Sequence, residues 1–141
     1  MRKIILILIL FGTFLNASND ISTKIVATLL EQLVGDKYKV WLDTHIDKKP
    51  IIINIKQLNT TKYCEDSSIL LLYSDIPVDN KCKNKIILVL DYALLHKYTN
   101  AVCAFYWKKG RPNIIFLRSR LKQHNIKLSE SYDKYIEDNL W

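Results

Sequence analysis

The chain has 141 residues, of which 49% are hydrophobic and 25% charged, with a formal charge of +7 and three cysteines. That is enough for one domain with one modest core. The basic excess is mostly Lys spread along the sequence, the pattern of a solvated surface, and only one short turn sets cations beside aromatics, which argues against a nucleic-acid partner.

Arg2 and Lys3, the apolar run from Ile4 to Leu15 and the small Ala17 follow the plan of a secretory signal peptide, and the run is too short to span a bilayer comfortably. The expectation is a signal over residues 1–17 and a single exported domain over residues 18–141, placed in the periplasm. No second apolar stretch is long enough for a membrane helix, so no membrane insertion is expected after cleavage.

Beyond the signal, Asn19 or Asp20 caps a helix whose residues Ile21, Ile25, Val26, Leu29, Leu30 and Leu33 follow the 3.6 period, with Gly35 as its stop. Tyr38 to Leu42 reads as a strand, Lys48-Lys49-Pro50 as a break and Ile51 to Ile55 as another strand. The runs Ile69 to Tyr73 and Ile86 to Leu90 are apolar without alternation, which marks central strands covered on both faces. Tyr92 to Tyr98 reads as a short helix behind the cap Asp91.

Val102 to Trp107 and Asn113 to Leu117 are β-branched and aromatic arms around Lys108-Lys109-Gly110-Arg111-Pro112, which predicts an edge hairpin with a longer loop. A short helix over Ser119 to His124 follows, Asn125 ends it, and Ser129 caps a last helix with the stripe Leu128, Tyr132, Tyr135, Ile136 and Leu140. The whole predicts an α/β fold, a three-layer sandwich with a mainly parallel central sheet and a C-terminal β-hairpin at its edge.

Cys64 and Cys82 each precede one of the central runs. If those runs are neighbouring parallel strands, both cysteines enter from one edge of the sheet, where a disulfide is geometrically reasonable. Cys103 lies inside an apolar strand as a small hydrophobe. No short Cys/His spacing suggests a metal, and His45, His96 and His124 stand far apart, so neither metal nor cofactor is expected.

Three strands end in an acid, Asp43, Asp75 and Asp91. Outside the carboxyl ends of a parallel sheet these would form a ligand site if they converge, and otherwise serve as turn openers and helix caps. Lys108, Lys109 and Arg111 at the turn, with Arg118, Arg120 and Trp107 beside it, suit an anionic ligand or an acidic partner surface, or else a charged guard on an edge hairpin. Neither a nucleophile elbow, nor a phosphate-cradling Gly-rich loop, nor a zinc-protease helix is present, and the chain is read as non-enzymatic.

The order of Cys64 before Ile69-Leu70-Leu71-Leu72-Tyr73, the strand Lys85 to Asp91 and the late Asn113-Ile114-Ile115-Phe116 leading into a helix with Leu121 resembles the small periplasmic YfiR-like proteins over about residues 50 to 128. The resemblance implies an α/β sandwich that binds the periplasmic domain of an inner-membrane signalling protein, such as a diguanylate cyclase, and holds it inactive. The alternative is a periplasmic protein that binds a small anionic ligand or assists transport.

Overall fold

Ile25, Val26, Leu29, Leu30 and Leu33 recur at the helical period, and in the computed structural model residues 21–34 form helix α1, which packs that stripe on the sheet but leaves Ile21, expected in it, exposed. Gly35 ends it: its φ of +94° is open to glycine, and its N–H donates to the Glu31 C=O at 2.8 Å. The structure describes residues 21–43 and 53–140. The segment read as a signal peptide, the caps Asn19 and Asp20, His45, the Lys48-Lys49-Pro50 break and Ile51 lie outside them.

Six strands follow one another in space as in sequence: β1 (Val40–Leu42), β2 (Ile69–Leu72), β3 (Ile86–Val89), β4 (Ala101–Lys108), β5 (Arg111–Leu117) and β6 (Ile136–Glu137). β1 to β4 are parallel, β4 and β5 form the antiparallel hairpin, and β6 runs parallel to β5 outside it. All four residues of β2 are fully buried, as expected of a strand covered on both faces.

Alternate residues feed two cores, which makes the layers. Ile69, Leu71, Leu88, Phe105 and Phe116 pack under α1 with Val26, Leu29, Leu30 and Leu33. Leu70, Leu72, Ile87, Val89, Ala104 and Leu117 pack on the other face, under helix α2 (Leu94–Lys97) and the connection carrying Ile76, Val78 and Cys82. The α/β three-layer reading is thus the observed architecture. Helix α3 (Arg118–Gln123) follows β5 and is closed by Asn125 at φ 55°.

Three local readings change, and a slipped register is added to them. The hairpin loop is two residues long, not five: Lys108 pairs with Arg111, and Lys109 and Gly110 take φ of 52° and 74°, the primed turn that suits the twist of a hairpin. Residues 53–57 hold no strand; a 3₁₀ turn spans Ile55–Gln57, because the Asn54 carboxamide accepts the Lys56 N–H at 3.2 Å and caps it. The last helix is a 3₁₀ segment, Glu130–Tyr135, followed by β6. Its stripe divides between the faces, with Tyr132 and Tyr135 under α1 and Leu140 in the opposite core. Finally, the β3–β4 register slips at Val102, so that Val102 and Cys103 both belong to the α1-side core.

Candidate functional site

The two-residue turn makes the hairpin tip a compact cationic feature. Lys108, Lys109 and Arg111 are all exposed, and among the described residues none of them takes part in an ion pair. With Asn113 they line a shallow recess of about 320 Å³. Three cations without a neutralising acid favour a carboxylate, a phosphate or an acidic protein surface.

The other residues grouped with the tip in the sequence have separate work. Arg118 Nε donates to Asp138 Oδ1 at 2.7 Å, tying the start of α3 to the segment after β6. Arg120 turns inward, and its Nη1 meets the C=O groups of Leu95 at 2.8 Å, Tyr98 at 3.0 Å and Ala101 at 2.8 Å. Burial lowers its pKa from the usual range, and the carbonyl cluster fixes the end of α2 to the start of β4. Trp107 is half-buried on the α1 face, where its Nε1–H donates to Ser22 Oγ at 3.1 Å. Of that group, Lys108, Lys109 and Arg111 alone form the tip.

Asp43, Asp75 and Asp91 take three different positions. Asp43 is 1% exposed, and its Oδ2 accepts from Tyr73 N–H at 3.0 Å, Ser74 N–H at 2.7 Å and Ser74 Oγ–H at 2.8 Å, so it fastens the end of β2 to the end of β1. Asp75 is exposed and pairs with Lys97, whose pKa that hydrogen bond and charge raise. Asp91 accepts the Ala93 N–H at 3.0 Å and opens the turn into α2. The only trio of metal-competent side chains within 4.8 Å of one another among the described residues is Cys64, Glu65 and Cys82. Its two sulfurs are bonded to each other, which removes them as ligands.

That bond is the disulfide expected from the sequence. It joins the approaches to β2 and β3 with the Cα atoms 6.1 Å apart, and at the same edge Lys85 Nζ donates to the C=O of Ser67 at 2.5 Å and of Glu65 at 3.1 Å. Cys103 is the free cysteine and is fully buried, which pushes its thiol pKa well up and keeps it protonated.

Two concavities have no counterpart in the sequence pattern. A cleft of about 500 Å³ lies between the connection at Ile76 and Val78 and the turn at Thr99 and Asn100, with Lys83 and Lys97 among its lining. Tyr98 holds its wall: the hydroxyl accepts the Ile76 N–H and donates to the Ile76 C=O, both at 2.7 Å. A second groove of about 280 Å³ runs between α1 and β5, with Tyr132 and Tyr135 on its rim. Both are assembled from segments distant in sequence, so no local motif announces either. No helix among the described residues is long and apolar enough to cross a membrane. Compared with the models of known protein families, with curated proteins and with solved structures, the chain matches none.

Proposed function

We propose that the chain is an exported, non-enzymatic binding protein, a YfiR-like regulator that docks through its hairpin tip on an acidic surface of an inner-membrane signalling protein. The observation that carries the reading is the contrast among the basic residues: Arg118 and Arg120 are committed to the fold, whereas Lys108, Lys109 and Arg111 stand exposed and, among the described residues, without an ion-pair partner. The Cys64–Cys82 disulfide supports export, because such bonds persist in oxidising compartments. A non-enzymatic role is supported by the one free thiol being buried and protonated, which leaves it a poor nucleophile.

A second reading, binding of a small anion, rests on Lys83 in the cleft that Ile76, Val78 and Ile87 also line; Lys97 there is already paired with Asp75. The two readings separate in one experiment, affinity purification from the native envelope with the wild-type protein and with a Lys109→Glu/Arg111→Glu variant. The docking reading expects a membrane protein that co-purifies with wild type and is lost from the variant. Equal recovery by both proteins contradicts it.

A further inference from the structure

We infer that the outer edge of β5, between the turn and β6, captures an extended segment of a partner protein that alternates apolar and acidic side chains. This deepens the docking reading above and rests on it for the acidity of the partner.

The register decides which backbone groups are open. Lys108 and Arg111 flank a two-residue turn and so form a hydrogen-bonded pair, which makes Trp107–Pro112 and Phe105–Ile114 non-hydrogen-bonded pairs. The backbone groups of Asn113 and Ile115 therefore face β4, and those of Pro112, Ile114 and Phe116 face outward. β6 covers Phe116 and Leu117 only. Among the described residues, the N–H and C=O of Ile114 and the C=O of Pro112 meet no strand. At the opposite edge of the sheet Val40 is covered: its N–H donates to Asn59 C=O at 2.9 Å, and Thr61 N–H donates to Val40 C=O at 3.0 Å.

Side-chain chemistry beside the open edge says what would lie there. Ile25, Leu29, Ile114, Tyr132 and Tyr135 line the groove on the α1 face, and Lys24 is the only charged residue in its lining. Side chains of an added strand alternate between faces, so every second one reaches this groove and wants to be apolar. Toward the turn the same segment meets Lys108, Lys109 and Arg111, which select acids. A second copy of the chain competes for the same five free edge residues, and the test below separates it from a foreign segment.

The test is selection of binders from a random twelve-residue peptide library on the full chain with its disulfide intact, followed by N-methylation of alternate amides in the recovered peptides. Strand capture expects peptides that alternate apolar residues with Asp or Glu. N-methylation should abolish binding in one phase and spare it in the other. Ile114→Pro, which removes an outward N–H as Pro112 already does, should weaken binding at least tenfold. If that variant fails to fold, the N-methyl pair still decides. Acidic peptides indifferent to N-methylation in both phases overturn strand capture while leaving docking at the tip standing. Recovery of no peptides, or of peptides without acidic enrichment, overturns both, and a dimer that dissociates in Ile114→Pro gives the edge to a second copy and overturns the inference.

Discussion

Asp43 illustrates how a side chain that looks like a ligand in sequence is consumed by the fold. Its buried carboxylate takes three hydrogen bonds from the half-buried Tyr73 and Ser74. Asp43→Ala would leave two backbone donors and a hydroxyl buried without that acceptor, and the expected loss is about 3 kcal/mol in urea unfolding. An Asp43→Ala protein as stable as wild type would show that the carboxylate is not a structural tie. Cys103 carries a pH dependence. Burial holds its thiol protonated in the folded state, whereas in the unfolded chain it ionises near 9.0, so stability is intact below that pH and falls as pH rises through it. The slope is about 1.4 kcal/mol per pH unit while only the unfolded thiol is charged. Tyr98 and Tyr106, also raised by burial, add to the loss only above about 10. Unfolding curves between pH 9 and 10 should therefore flatten in Cys103→Ala; an unchanged slope contradicts this assignment.

The hairpin shows how far a local pattern carries and where it stops. Gly110 and Pro112 both signal a loop, yet only Lys109 and Gly110 turn the chain. Pro112 sits in β5 with its missing N–H on the outer side, where no ladder bond to β4 is lost. No atom lies within 4 Å of the position a methyl group would take on Gly110, so Gly110→Ala meets only the backbone penalty of its φ of +74°, about 1 kcal/mol. A thermal melt checks it, and a larger loss would mean that the tip packs against something. The α1 stripe, the central strands and the Cys64–Cys82 pair were legible because burial on one face or on both writes itself into periodicity. The closing segment was not. Tyr132, Tyr135 and Ile136 fit a helical stripe by spacing alone, while β5 offers an edge that pulls Ile136 and Glu137 into a strand. The bulge at Val102 was equally hidden, since nothing in a run of small and apolar residues marks a slipped register.

Across the whole molecule, stability and the candidate binding site draw on different residues. The disulfide and the Arg120 carbonyl cluster fasten connections to the sheet, and the tip projects from it without contributing to either core. With the cysteines 18 residues apart, replacing both Cys64 and Cys82 by Ser should cost roughly 3 kcal/mol on chain-entropy grounds. A urea midpoint that does not move would show that the bridge constrains little in the unfolded chain. The candidate binding residues were less legible than the ones that build the fold. Arg118 and Arg120 look like members of the basic cluster until their partners Asp138, Leu95, Tyr98 and Ala101 are placed beside them, and those partners come from 19 to 25 residues away.

In the proposed docking, the exposed cations of the tip steer association while leaving the fold untouched. The proposal is tested by the association rate with a membrane protein that co-purifies from the envelope, measured over a range of ionic strength for wild type and for Lys109→Glu/Arg111→Glu. Charge steering predicts equal melting temperatures, a wild-type rate that falls steeply with salt, and a variant that associates more slowly at low salt, since steering acts mainly on the encounter and is screened beyond about 10 Å at 0.1 M. Rates that are the same for both proteins and indifferent to salt would contradict it.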